Sequence, residues 1–350
     1  MEVLGACFGA SECVSSLNLS RNEEVSDDGV EIFCKTALRN APSEPFAPLE
    51  YLDLSRCNIG PCGVRSLSEC FVDGEKKVRG ALIDLMLVSN PLGKESCISL
   101  SKLISSPSHG KSSLVSLSLA RCSIGDNGIE ILVDSTKMRQ CQGLKKLDLS
   151  HNNIGTFGAQ KLSEALGFPK QESMVSLVDL RELCLNGNPL GSDGVCALTS
   201  SLVQREGIDA VPGSVGNSTL SVLDLSETAC GSEGAIAALQ CGRLSTLYLF
   251  NNKLGSLGFE SIVPSLQGGH PSLQSLDLGG NNAKEPAVVR LLQAFLLKGN
   301  ELNAVKSMLR TLIVGGNEFG EEVEKVLKVV NEAIPELDIA HDRPGGPAQG

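Results

Sequence analysis

A phrase of the form Leu-x-x-Leu-x-Leu-x-x-Asn-x-Ile/Leu-Gly-x-x-Gly-x-x-x-Leu recurs along this chain, and a self-repeating phrase constrains a fold more tightly than any composition does. Its fullest copy runs Leu144, Leu147, Leu149, Asn152, Ile154, Gly155, Gly158 and Leu162. Two others are nearly as complete: Leu180 to Leu198, with Leu183, Leu185, Asn188, Leu190, Gly191 and Gly194 between them, and Leu244 to Ile262. Weaker copies centre on Leu17/Leu19, Leu52/Leu54, Leu85/Leu87, Leu117/Leu119, Leu223/Leu225, Leu276/Leu278 and Leu312/Val314, with a half-copy at Leu337/Ile339. Successive copies begin about 32 residues apart.

Each position of the phrase has a physical reason. Leu-x-Leu has period 2, so both leucines face one side of a short strand. The Asn stands where the chain leaves the strand, and its side chain can satisfy backbone groups that no ladder reaches. Cys57 and Cys122 replace it in two copies, where a thiol serves weakly. The first Gly permits a tight turn, and from the second onward the period becomes helical, as in Gly158, Leu162 and Leu166. One unit is strand, turn, helix and return loop. It buries its leucines only against neighbours, so the units must stack. The expected fold is an α/β solenoid of ten to eleven repeats, with parallel strands on a concave wall and helices on a convex wall. Helices are wider than the strand spacing of about 4.8 Å, which bends the stack into a horseshoe. The reading treats 1–341 as one array and 342–350 as a loose Pro/Gly-rich tail. Glu321 to Ala333 reads as an amphipathic helix closing it.

Composition agrees. The chain has 350 residues, 41% hydrophobic but 3% aromatic and without Trp, which suits many thin aliphatic layers better than one large core. Its net charge of −11 argues against direct nucleic-acid binding and against anionic membranes, since both require a basic face. Glu2 stands where a secretory signal would carry positive charge, and no apolar run reaches the roughly 18 residues of a membrane span. The triplets at Asn18 and Asn217 then carry no glycosylation meaning. Thirteen cysteines lack any Cys-x-x-Cys spacing, so no metal site or cofactor is expected and the thiols read as small apolar residues of an intracellular protein, nuclear or cytoplasmic.

These repeats resemble the ribonuclease-inhibitor-like class of leucine-rich repeat proteins over essentially the whole chain. That class includes ribonuclease inhibitors, the sensor arrays of NACHT-type immune receptors, Ran GTPase-activating proteins and the C-terminal array of Tonsoku-type chromatin and replication proteins. The Cys-rich, Ser-rich, irregular repeats look most like the last group. That resemblance implies a histone or DNA-repair partner. The first repeat begins almost at Met1 with little capping sequence, so the N-terminal end is expected to be cut from, or to continue from, a longer protein.

In this register the residues between the paired leucines face the concave side: Asn18, Asp53, Met86, Ser118, Asp148, Cys184, Asp224, Tyr248, Asp277, Ile313 and Asp338. Five are Asp and none is basic, with Arg56, Arg121 and Lys146 as exceptions at the margins. Both tyrosines, Tyr51 and Tyr248, fall on this wall, and Phe250 stands beside the second. Aromatic anchors in an acidic surround suit a basic segment of a partner protein. The expected contact residues are Tyr51, Asp53, Asp148, Glu182, Asp224, Tyr248, Phe250 and Asp277. Four long return loops, Asn40 to Pro48, Phe168 to Asp179, Val203 to Ser218 and Leu296 to Ser307, offer a second place for contacts.

Catalytic constellations are poor. Of four histidines, His109 and His270 lie in return loops, His341 near the tail, and His151 at a strand exit near Asp148 and Cys184. The chain carries no Gly-x-Ser-x-Gly elbow and no phosphate-binding Gly-x-x-x-x-Gly-Lys-Ser/Thr loop. The expected function is a non-enzymatic, monomeric protein-binding scaffold. The alternative is a GTPase-activating protein for a Ran-like GTPase. Such proteins act by placing their partner's groups, although that family's acidic tail is not present here.

Overall fold

The computed structural model describes residues 1–5, 14–39, 49–72, 82–105, 114–133, 143–167, 177, 179–203, 219–267, 270–296 and 308–340. The four long loops expected to offer contacts, the C-terminal tail, and His109 and His341 lie wholly or mainly outside these residues. Two compact units are distinguished, one from Met1 through Leu183 and one built on Cys184–Gly213 and Ser218–Gly350.

The first unit carries strands β1 (Ser16–Asn18), β2 (Tyr51–Asp53), β3 (Asp84–Met86), β4 (Ser116–Ser118) and β5 (Lys146–Asp148). They alternate with helices α1 (Ser26–Phe33), α2 (Pro61–Phe71), α3 (Cys97–Ser105), α4 (Gly125–Leu132) and α5 (Thr156–Leu166). Strand β6 (Glu182–Cys184) stands at the boundary. The second unit carries β7 (Val222–Asp224), β8 (Thr246–Tyr248), β9 (Ser275–Asp277), β10 (Thr311–Ile313) and β11 (Asp338–Ala340). Its helices are α6 (Gly191–Ser200), α7 (Gly231–Leu239), α8 (Gly255–Gln267), α9 (Glu285–Leu296) and α10 (Glu321–Ala333). Strand order follows chain order from β1 to β11.

The leucine pattern sets the register. Within the first unit Leu17, Leu52, Leu85, Leu117 and Leu147 stand side by side in parallel pairing. Within the second, Leu223, Leu247, Leu276, Leu312 and Ile339 do the same. Each of these from Leu52 onward is buried, as are the leucines two residues later, such as Leu54, Leu149 and Leu249. Helix residues such as Val64, Leu67 and Leu162 close the layer from the other side. Each fully buried aliphatic side chain contributes about 1.5–3 kcal/mol. The last repeat differs from expectation by one step. Asp338 pairs with Thr311 and Ile339 with Leu312, so Asp338 takes the position before the mid-strand core residue and not the one after it. The cause is that Ile339 fills the buried mid-strand site, which leaves Asp338 exposed.

The strand exits are strained turns held by the Asn position. The residues on either side of it lie in left-handed backbone: His151 and Asn153 (φ 55 and 57) around Asn152, and Asn251 and Lys253 (φ 52 and 59) around Asn252. Such residues cost about 1–3 kcal/mol each unless the surroundings fix them. The fixing is direct. Asn152 is fully buried; its Oδ1 accepts from Cys122 N (3.0 Å) and Ile124 N (3.2 Å), and its Nδ2 donates to Leu119 O (2.7 Å) and Leu149 O (3.0 Å). Asn90, Asn252 and Asn281 repeat the arrangement on their preceding repeats. At the cysteine positions the thiol takes over the bond to the preceding repeat: Cys57 donates to Leu19 O at 3.0 Å and Cys122 to Leu87 O at 3.1 Å. A third replacement, Thr228, donates to Leu225 O instead. The Leu92 and Leu190 amides turn back to Asn90 O and Asn188 O, both at 2.8 Å.

The two glycines serve geometry that the sequence pattern merges. Gly125, Gly191, Gly231 and Gly255 take positive φ, as a tight turn requires. Gly155 does not (φ −104); its amide instead meets a carboxylate of the preceding helix, Asp126 Oδ1, at 2.6 Å. Asp27 caps Gly60 in the same way. The second glycine is a close-approach site. A Cβ on Gly158 would lie 2.6 Å from both Asp126 Oδ1 and Ile154 Cγ2.

Candidate functional site

Alternation along each strand turns the residues between the leucines away from the core. In the first unit this open face carries Tyr51, Asp53, Asp148 and Glu182. Tyr51 is half-buried and donates its hydroxyl to Met86 Sδ at 3.2 Å. Burial, then the negative charges of Asp53 and Asp84, push its phenol above its ordinary pKa. Glu182 is engaged by Lys146 at 3.0 Å, so the acidic character expected of the wall is locally neutralised.

The second unit carries Asp224, Tyr248, Phe250 and Asp277. Register sets Asp224 beside Tyr248, and Tyr248 beside Asp277. Tyr248, Phe250 and Asp224 are half-buried, whereas Asp277 is only 1% exposed. Phe250 lies against the backbone of the next repeat: a Cβ on Gly280 would meet Phe250 Cε2 at 2.7 Å, and one on Gly279 would meet Cδ2 at 3.2 Å. The Gly279–Gly280 pair makes room for the ring.

Four of the aspartates have a structural task. Asp53, Asp148, Asp224 and Asp277 each accept a bond at 2.8–3.0 Å from the backbone amide two residues on, and Asn18 does the same. Two expected contact residues therefore need correction. Asp53 (7% exposed) and Asp277 are buried turn acceptors, because the side chain folds back onto its own strand exit. Asp148 and Asp224 share the turn bond but stay half-exposed.

A family model described as Leucine Rich repeat matches residues 10–34, 47–68, 110–133 and 140–163. Ribonuclease inhibitor of Sus scrofa is 26% identical over 359 residues, covering 97% of this chain. The repeats of this chain are leucine-rich repeats similar to those of the ribonuclease inhibitors. NACHT, LRR and PYD domains-containing protein 3 of Bos taurus is 28% identical over 83% of this chain. The chain spans 66% of the length of the first relative and 22% of the second. A chain of the solved octameric complex of Latrophilin 3, Unc5D and FLRT2 matches with 16% identity and a TM-score of 0.37, covering 90% of this chain and 91% of that one.

The leucine-rich repeat register also locates polar groups that sequence reasoning passed over. Ser226 is 1% exposed and its Oγ has no hydrogen-bond partner among the described residues; nor has the buried Oδ1 of Asn186. The Gly187 amide bonds Ser226 O at 2.9 Å, which sets Asn186 beside Ser226, and the register of β7 and β8 continues that row to Phe250. A buried polar group without a partner costs about 1–3 kcal/mol. Only the neighbouring row could have signalled them, since Ser and Asn are ordinary at strand exits.

The described cysteines are all unpaired, and seven of the ten are buried. Burial pushes the Cys97, Cys122, Cys230 and Cys241 thiols up to about 12, so they stay protonated. No group of three or more potential metal ligands exists among the described residues, and no described helix is long and apolar enough to cross a membrane. His151 occupies one of the left-handed turn positions. His270 is buried; its Nδ1 accepts from Leu273 N at 2.9 Å and Ser272 N at 3.2 Å, and burial lowers its pKa.

Proposed function

We propose that this leucine-rich repeat array is a non-enzymatic interaction scaffold that takes a basic segment of a partner protein on the open face of its strands. The observation that carries the reading is the pair Tyr248 and Phe250, half-exposed on that face beside Asp224. An aromatic pair at a surface is unfavourable alone and favourable when covered. Phe250 is held by the Gly279–Gly280 backbone, so covering it orders little that is not already ordered. Unpaired, largely buried thiols support a reducing, intracellular setting.

The test is affinity capture from extract with the wild-type chain and with Tyr248→Ala/Phe250→Ala, both checked for folding by circular dichroism. A direct binding assay on each protein lost by the variant follows, at two salt concentrations. The reading expects a partner segment that is basic, binds directly, and weakens with added salt. Proteins retained equally by both baits would move binding off this face.

A further inference from the structure

Resting on the scaffold reading, we infer that the Asn186–Asp224–Ser226–Tyr248 corner of the second unit is a recognition site for an arginine side chain of the partner. Three features meet there. Asp224 supplies negative charge on a half-exposed position, and no basic residue shares the open face of strands β6, β7 and β8 in this unit. Tyr248 stands beside it in register, half-buried, and a phenol ring is a group on which a planar cation can stack. In the adjacent row, two residues further along each strand, the Ser226 hydroxyl and the Asn186 carbonyl are buried acceptors with no partner among the described residues.

The ligand chemistry follows from that combination. A guanidinium is flat, keeps its charge at any working pH, and presents five donors in a fixed fork. It can stack on a phenol ring while donating to a carboxylate and to neighbouring oxygens. An ammonium is a compact point charge that meets fewer of these groups at once. A neutral or acidic side chain would leave the acceptors unmet. Arginine thus fits the corner better than lysine does. Phe250, at the end of the row, bounds the site on the side away from Asn186.

The probe is a fluorescein-labelled Gly-Arg-Gly-Arg-Gly peptide, titrated with the full chain and read by anisotropy. Lysine and citrulline versions of the same peptide are controls. The arginine peptide is expected to bind, the lysine version about 3–10-fold more weakly, and the citrulline version more than 10-fold more weakly. Asp224→Asn and Ser226→Ala should each weaken the arginine peptide, while Asp148→Asn in the first unit should not. Equal binding of all three peptides, no binding of the arginine peptide up to 5 mM, or insensitivity to both corner variants overturns the assignment. A captured partner lost by Tyr248→Ala/Phe250→Ala but unaffected by Asp224→Asn and Ser226→Ala would leave the scaffold reading intact and remove the arginine site alone.

Discussion

Replacing Asn152 by Ala tests the account of how the repeats are joined. The side chain serves two amides of the preceding repeat, Cys122 N and Ile124 N, and two carbonyls, Leu119 O and Leu149 O. The site is closed to water, with Asn152 at 0% exposure and Cys122 and Ile124 at 0% and 2%. Alanine leaves both amides without an acceptor, at about 1–3 kcal/mol each, and the carbonyls lose less because they keep a second lone pair. A loss of about 3–5 kcal/mol follows, a large share of the 5–15 kcal/mol typical of a folded domain. Asn152→Cys should be milder. A thiol there can donate to Leu119 O as Cys122 does to Leu87 O, and the Ile124 amide can turn back as the Leu92 amide does. Asn22 holds the same position in the first repeat, but its bonds are exposed, so Asn22→Ala should cost under about 1 kcal/mol. Urea titration at constant m-value, with amide exchange to localise the loss, measures all three. A change below 1 kcal/mol for Asn152→Ala, or equal effects of Ala and Cys, would refute the ladder argument.

Gly158→Ala should destabilise by about 2–4 kcal/mol, because the new Cβ displaces Ile154 and the Asp126 carboxylate that caps Gly155 and Gly158. Gly125→Ala, with φ 63 and no atom near the new Cβ, should cost only about 1–2 kcal/mol; thermal melts that reverse this order sink the distinction. For His270 the folded-state pKa lies below the ordinary 6.5, so between the two values the unfolded chain binds the extra proton. The stability from its neutral form is full above about pH 6.5 and is lost as pH falls toward the folded value. Wild type should therefore lose more stability than His270→Asn between pH 7 and 5, and an equal slope in urea titrations would contradict this. Under native conditions N-ethylmaleimide should modify the exposed Cys62 and spare Cys97, Cys122, Cys230 and Cys241 until urea is added; mass spectrometry showing equal rates would overturn the view of these thiols as core.

Most of the fold was legible in the leucines, since period 2 followed by a helical period leaves little else to build. Helix α10 falls on the expected Glu321 to Ala333. What escaped was anything decided between repeats. Gly155 and Gly125 look alike in sequence, yet one meets a neighbouring carboxylate and the other makes a left-handed turn. Asp338 looked like a wall residue because Leu337 and Ile339 mimic the phrase, and only pairing with β10 shows that Ile339, not Leu337, aligns with the mid-strand leucines. At the site, the aromatic pair was visible from spacing alone. The burial of Asp53 and Asp277, the Lys146–Glu182 pair and the unpartnered Ser226 depend on what the next strand supplies.

The aspartates pose the sharper question, because one residue answers two demands. An oxygen at that position can accept the turn amide, and Asn18 does so without charge. Counting aspartates along the strands therefore overstates how acidic a surface a partner meets. Asp224→Asn separates the roles, since the amide oxygen can still accept from Ser226 N at the present 2.9 Å while the charge is gone. If the carboxylate serves only the turn, the variant keeps both stability and partner affinity. If it also serves a basic partner, stability stays within about 0.5 kcal/mol while affinity and its salt dependence both fall. Unchanged affinity, whatever the stability does, would refute the charge argument at the one position where exposure and an aromatic neighbour favour it most.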